Sequence, residues 1–242
     1  LESQLKWLRQ ELKDIYYGLV AEKLDQIIET EKKQLRTYTE YDAIIETFSE
    51  IEKREIADPS LFLEWNIWRA LTMLNDGEII GNFRVDDDGV PLYTALGNMS
   101  DLVCKYKNFE TIVEVTMSSG SKQFEMEGES VARHFGNHKK STNKEVYGLF
   151  IAPKLNPSVV AYFYSLYRMN IDFYGGQAKI IPISLSVFKS IIRNAHDAKV
   201  KPTAESIREL LLEFVNCALK SKSEGEWYDT IVQKSQTAFL AP

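Results

Sequence analysis

The spacing of apolar residues along this 242-residue chain switches between a helical and a strand period, and this switching constrains the fold most. Up to residue 57 the spacing is helical. Residues 1–33 and about 35–51 each carry an apolar stripe opposite a charged face, a pattern typical of amphipathic helices. In the first segment the stripe contains Leu1, Leu5, Leu8, Leu12, Ile15 and Leu19. We expect residues 1–57 to be a helical linker and its packing partner.

After residue 57, helices and short strands alternate. Asp58 and Pro59 are suited to cap and begin a helix, and Gly77 lies past its expected end. Three strand-like runs follow, EIIGNFRV, SDLVCKYKN and TIVEVTMSS, with a turn at DDDGVP after the first of them. Next come a helix over about 121–135, a strand, a helix, a strand, and helices over about 185–196 and 203–220. This order predicts an α/β fold, with a mixed β-sheet core flanked by helices.

Composition and charge narrow the class of protein. The net charge of −6 and the pI near 5.3 argue against a general nucleic-acid surface, which is usually basic. Because the chain opens inside a helical pattern without an initiator Met, we expect a fragment whose other part supplies an electropositive surface. No apolar stretch approaches the roughly 20 residues of a membrane span, and the charged start differs from a secretory signal. We expect a cytoplasmic protein with two free thiols, Cys104 and Cys217.

Two carboxylates fall on neighbouring strand-like runs. Glu114 interrupts an apolar β-branched run, and Asp101 opens the run before it. If the two strands form a hairpin, the start of the first lies beside the end of the second, and the two carboxylates meet. Carboxylates at close quarters raise each other's pKa unless a divalent cation lies between them. With the Val115 carbonyl and several waters, they would form a site for a hard cation such as Mg²⁺.

Further polar residues point toward the same place. On the helix that follows, Glu127 shares a face with Phe124 and Val131, and His134 lies one heptad further along. Glu64 lies on the apolar stripe of the helix that begins after Asp58. Alone, Glu64 is equally consistent with a carboxylate at the edge of that stripe or paired with an arginine. Four acids at inward-facing positions of four elements favour a metal site, because unpaired buried carboxylates are costly.

These residues resemble a motif of the PD-(D/E)xK nucleases, in particular the cleavage domains of type IIS restriction endonucleases. Asp101 in SDLVCKYK matches the first acid, and EVT, residues 114–116, matches the (D/E)xK element. The later segments VYGLFIAPKLN and IIPISLSVFKSII resemble the FokI-type domain, and EWNIWRAL resembles the AlwI-like group. The resemblance covers roughly residues 58–220. Ser100 stands where the motif has proline, and Thr116 stands where it has the lysine that activates water.

The resemblance implies a Mg²⁺-dependent endonuclease domain, over residues 58–242, that hydrolyses one strand of double-stranded DNA, with Mn²⁺ as a substitute. It implies that Asp101, Glu114 and the Val115 carbonyl are metal ligands. Glu64 would serve a second metal or a metal-bound water, and Glu127 would hold the attacking water. His134 would contact the scissile phosphate or tune the acids; it completes the expected catalytic set of Asp101, Glu114, Glu127, Glu64 and His134.

The family also implies partners. An N-terminal DNA-recognition domain of the same protein would supply the sequence specificity. Since one such site cleaves one strand, a second, small catalytic subunit would be needed for double-strand cleavage. We therefore expect a nicking enzyme or the large subunit of a heterodimer.

Three alternatives remain open at this point. In HFGNH, His134 and His138 are spaced for zinc on a continuous helix, but Gly136 and Asn137 indicate that the helix ends between them. The lysines of the following segment, Lys139, Lys140 and Lys144, suit either DNA phosphates or a solvated loop. The whole chain could also be a non-catalytic helical protein-interaction module whose acids are surface charge.

Overall fold

The computed structural model describes residues 2–74, 77–94 and 99–240. The helices are α1 (Glu2–Leu35), α2 (Tyr41–Lys53), α3 (Pro59–Leu74), α4 (Ser121–Ser141), α5 (Pro157–Arg168), α6 (Leu185–Asp197), α7 (Ala204–Lys220) and α8 (Glu224–Ser235). The strands are β1 (Glu78–Gly81), β2 (Phe83–Val85), β3 (Pro91–Thr94), β4 (Leu102–Lys105), β5 (Phe109–Val115), β6 (Glu145–Ala152) and β7 (Ile180–Ser184). None of the helices in the described ranges is long and apolar enough to span a membrane.

A five-stranded mixed sheet forms the centre of the molecule, in the order β1-β4-β5-β6-β7. β1, β4 and β5 pair antiparallel, whereas β5, β6 and β7 pair parallel. All seven residues of β5 are buried, because helices cover both faces of the parallel part. The predicted α/β class, a restriction-endonuclease-like mixed sheet flanked by helices, is therefore confirmed.

The region between α3 and β4 differs from the prediction. The single expected run EIIGNFRV forms two strands, because the Asn82 amide bonds to the Asp101 carbonyl (2.7 Å) and the chain then leaves the main sheet. β2 pairs instead with β3, which the sequence analysis did not predict. The expected turn joins them, and the Asp86 carboxylate accepts hydrogen bonds from the amides of Asp88 and Val90, both at 2.9 Å.

The helices α4 and α8 also differ from the prediction. α4 continues to Ser141, so Gly136 does not end it. The glycine instead permits a close approach, since a Cβ there would lie 2.7 Å from the Tyr174 Cα. The final helix α8 was not predicted; its buried Trp227 anchors it, and the indole N–H donates to the Phe214 carbonyl at 2.8 Å.

The N-terminal helices pack very differently along their length. α1 confirms the long predicted helix, but its stripe residues Leu5, Leu8, Leu12, Ile15 and Leu19 are all exposed. Only its last third packs on the body, and Leu35 is fully buried. α2 begins at Tyr41, later than predicted, because residues 36–40 form a turn. Its buried apolar side chains belong to the same core as α3.

The start of α3 supports a stability test. The Asp58 carboxylate accepts a hydrogen bond from the Leu61 amide at 3.1 Å and so caps the helix that carries Glu64. Asp58→Ala should lower the free energy of unfolding in urea by about 1 kcal/mol. Asp58→Asn is the matched control, because an asparagine oxygen caps equally well. An equal loss in both variants would contradict the capping role.

Candidate active site

The pairing of β4 with β5 brings Asp101 and Glu114 together. Leu102 pairs with Val113, so the residue before the first lies beside the residue after the second. Directly opposed residues of an antiparallel pair point to the same face of the sheet. The Val115 amide donates a 2.7 Å hydrogen bond to Oδ2 of Asp101, which fixes this carboxylate at the end of β5. The expected hairpin therefore forms, with the two carboxylates side by side.

Glu64 approaches the pair from α3, which packs against β5. Its carboxylate is buried, and Oε2 has no hydrogen-bond partner among the described residues. Burial raises the pKa of Glu64 to about 7, and the negative charges of Asp58 and Glu114 contribute to the rise. The arginine pairing considered for this residue is not seen in the described part of the chain; Arg69 contacts Glu31 and Glu40 instead.

The ionised forms of Asp101 and Glu114 are also energetically unfavourable in the folded protein. Burial raises the pKa of Asp101 well above its ordinary value, and the charges of Glu114 and Glu64 raise it further. Burial likewise raises the pKa of Glu114, although hydrogen bonds with His134 and Ser100 oppose the rise. These acids are buried close together without a neutralising cation from a lysine or arginine side chain in the described structure.

Glu127, on α4, is linked to the site by a hydrogen bond with Thr116. The Thr116 hydroxyl donates to Oε1 of Glu127 at 2.8 Å and accepts a hydrogen bond from the Ser118 amide at 3.0 Å. Glu127 lies close enough to raise the pKa of both Asp101 and Glu114. Thr116 stands in the position of the motif lysine. Its hydroxyl therefore orients a fourth carboxylate, that of Glu127.

The two histidines of α4 contact different glutamates on β5. Nδ1 of His134 lies 2.9 Å from Oε1 of Glu114, and Nε2 of His138 lies 2.7 Å from Oε2 of Glu110. The helix is continuous between them, which corrects the expectation that it ends at Gly136. Because each imidazole has its own carboxylate four residues apart on the strand, they do not converge on one zinc ion.

Three lysines, two in the last turn of α4 and one directly before β6, contact protein oxygens. Lys139 and Lys140 donate to the carbonyls of Gln177 and Phe173, at 3.0 and 2.7 Å. Lys144 forms an ion pair with Glu110 at 3.1 Å. They lie near the beginnings of the parallel strands, whereas the acids lie near the end of β5. Lys139 and Lys140 are thus part of a helix and not of a solvated loop, whereas the contact of these lysines with DNA phosphates stays a prediction.

Two polar partners of the acids were missed by the sequence analysis. The buried Ser100 forms a hydrogen bond with Glu114, and the bond from Thr116 to Glu127 was not foreseen. The available signal was the presence of hydroxyl residues where the motif has proline and lysine. A hydroxyl beside a buried carboxylate position is a candidate hydrogen-bond partner, since buried acceptors need donors.

A family model described as AlwI restriction endonuclease matches residues 2–191, which is more than half of the chain. The chain belongs to the AlwI restriction endonuclease family. No curated protein matches the chain. The fold is similar to the crystal structure of the small subunit (R.BspD6I2) of the heterodimeric restriction endonuclease R.BspD6I. The TM-score is 0.69 and the sequence identity 24%, and the match covers 80% of this chain and 98% of that chain. This second similarity shows the fold.

The donor set fits a hard divalent cation better than zinc. Within the described ranges, no three His, Cys, Asp or Glu side chains form a ready-made metal site. Mg²⁺ needs fewer protein ligands, because it binds through one or two carboxylates and keeps several waters. The opposed carboxylates of Asp101 and Glu114 and the unpartnered oxygen of Glu64 supply oxygen ligands of this kind.

The raised pKa of Glu64 predicts how stability depends on pH. Between its ordinary value of 4.5 and about 7, the folded protein binds this proton more tightly than the unfolded chain does. The free energy of unfolding should therefore fall as the pH rises through this window in cation-free buffer. Glu64→Gln cannot titrate and should show a smaller fall. Urea unfolding of both proteins from pH 5 to pH 8 measures the difference, and parallel curves would contradict the account.

Proposed function

We propose that this member of the AlwI family is a Mg²⁺-dependent DNA endonuclease of the PD-(D/E)xK type that cleaves one strand of double-stranded DNA. Family membership supports DNA cleavage as the activity. The observation that carries the metal-dependent form of the proposal is the register that places the partly buried Asp101 directly beside the buried Glu114. A fold that keeps two desolvated carboxylates adjacent needs a positive charge between them.

In this proposal Asp101, Glu114 and the Val115 carbonyl hold the Mg²⁺, and Mn²⁺ substitutes for it. When bound, the cation activates water and neutralises the charge that develops on the phosphate. The Val115 amide keeps Asp101 in place through its 2.7 Å bond, and Glu64 contributes a further oxygen from α3 for a second cation or a coordinated water.

Glu127 and His134 take supporting roles. Oε1 of Glu127 accepts a hydrogen bond from the Thr116 hydroxyl, which leaves its second oxygen to orient the attacking water in place of the motif lysine. His134 holds one oxygen of Glu114 at 2.9 Å and so orients this ligand toward the cation. Alternatively, its ring faces the scissile phosphate once DNA is bound.

The number of DNA strands that the chain should cleave follows from its number of catalytic sites. One set of acids attacks one phosphodiester, so the chain alone should nick DNA, and double-strand cleavage requires a second, small catalytic subunit. The similarity to the small subunit of a heterodimeric restriction endonuclease supports the presence of a partner subunit. We assign the present chain to the large-subunit or site-specific nicking role.

Sequence recognition is proposed to reside in a domain on the N-terminal side of residues 58–242, joined through residues 1–57. The exposed apolar stripe of α1 supports this division, because an isolated amphipathic helix of this length gains most of its stability from packing. Such an enzyme would act in the cytoplasm, where its DNA substrate lies. A non-catalytic interaction module is not favoured, since Glu64 and Glu114 are buried and the chain belongs to a restriction endonuclease family.

The proposal is tested by nicking of supercoiled plasmid in Mg²⁺, with chelator added in a parallel reaction. Glu114→Gln should reduce the rate of open-circle formation by at least about 100-fold, because a neutral amide is a poor ligand for a hard cation. Glu110→Gln is the matched control on the same face of the same strand; it should cut at the wild-type rate, since Glu110 pairs with His138 and Lys144 away from the site.

Wild-type nicking that persists in chelator would refute metal dependence. Equal activity of Glu114→Gln and wild type would refute the assigned site. Linear product formed without an open-circle intermediate would argue against a single-strand cutter.

A further inference from the structure

Gln123, in the first turn of α4, is fully buried, and its amide group contacts only backbone. Nε2 donates to the carbonyls of Ser118 and Lys154, at 2.8 and 2.9 Å. Oε1 accepts from the amide of Asn156 at 2.7 Å. Two carbonyls can only accept and an amide N–H can only donate, so these partners fix the orientation of the side-chain amide.

The three partners lie in two different loops. Ser118 belongs to the loop between β5 and α4, and Lys154 and Asn156 belong to the loop between β6 and α5. Because β5 and β6 are parallel, both loops leave the same edge of the sheet, next to the acids. Gln123 therefore joins the two loops at the edge where cleavage is proposed.

The joined loops are continuous with the candidate site. The Ser118 carbonyl accepts the hydrogen bond from Gln123, and the Ser118 amide donates to the Thr116 hydroxyl at 3.0 Å. That hydroxyl in turn donates to Glu127 at 2.8 Å. A chain of hydrogen bonds thus runs from Gln123 through Ser118 and Thr116 to a carboxylate of the site. A leucine would fill the same volume but would leave three backbone groups without the partner they have in Gln123, and Ser118 unanchored.

We propose that Gln123 is a positioning residue for DNA cleavage, which holds the Thr116 hydroxyl and, through it, Glu127 in their working orientation. The inference rests on the proposed function. It assigns to Gln123 no contact with DNA or cation. Its effect on the rate is expected to pass entirely through the loop that carries Ser118 and Thr116.

The test is a double-mutant cycle in the full chain, with supercoiled plasmid at saturating concentration and Mg²⁺. Gln123→Leu should lower kcat by about 10- to 100-fold, the size of effect produced by a small misplacement of a reacting group, and leave KM for DNA within about twofold. Thr116→Val should lower kcat similarly. Because both act through the same carboxylate, the double variant should be no slower than the slower single variant.

Asn194→Leu is the matched control for a general loss of stability. Its buried amide also donates to a backbone carbonyl, that of Ser235 at 3.0 Å, in the packing of α6 against α8. This variant should melt at a lower temperature than wild type but keep the wild-type kcat. If Gln123→Leu does not fold, Gln123→Glu serves instead, since it keeps the side-chain volume and the acceptor for Asn156, and the same kcat loss and non-additivity are expected.

The outcomes separate the inference from the function on which it depends. If the wild-type chain fails to nick DNA, the proposed function fails. If wild type nicks and the Gln123 variants keep its kcat, if the losses of the two single variants multiply in the double variant, or if Asn194→Leu is equally slow, the positioning role is overturned and the function stands.

Discussion

The hydrogen bond from the Val115 amide to the Asp101 carboxylate is the interaction on which the candidate site depends. It links the start of β4 to the end of β5 and sets the register in which Asp101 and Glu114 are neighbours. A slip of one residue would turn one of the two carboxylates to the other face of the sheet. The approach of Glu64 from α3 and of Glu127 from α4 has consequence only because this pair is already in place.

The cost of this arrangement appears as raised pKa values of the acids. Burial raises the pKa of Asp101, Glu114 and Glu64, and each carboxylate makes the ionisation of its neighbours less favourable. Such a cluster weakens the fold near neutral pH unless a positive charge offsets it. A divalent cation bound among these carboxylates would supply that charge.

Two glutamates of strand β5, Glu110 and Glu114, have different surroundings. Glu110 and Glu114 lie on the same face, and each is hydrogen-bonded to a histidine of α4. Glu110 also pairs with Lys144, and these two partners lower the pKa of its carboxyl despite its burial. Glu114 has no such lysine among the described residues and lies among other acids. The same residue type therefore stabilises one end of the strand and is available for chemistry at the other.

Local pattern predicted the parts of the structure that local rules control. The helix that begins after Asp58 and the hairpin of β4 and β5 both follow from spacing and punctuation. Gly136 was read as a helix end because its real role, the close approach of Tyr174, comes from a distant segment. The bond between Thr116 and Glu127 was likewise hidden, since it depends on how α4 lies over the sheet. Contacts between elements, unlike the elements themselves, leave little trace in one sequence.

The central claim is that these acids converge around a divalent cation, and anomalous diffraction from crystals grown with Mn²⁺ tests it most directly. The account predicts an anomalous peak in contact with the carboxylates of Asp101 and Glu114 and with the Val115 carbonyl. Ordered carboxylates there without a peak, or manganese bound only elsewhere, such as at the acidic turn of Asp86 and Asp88, would contradict it.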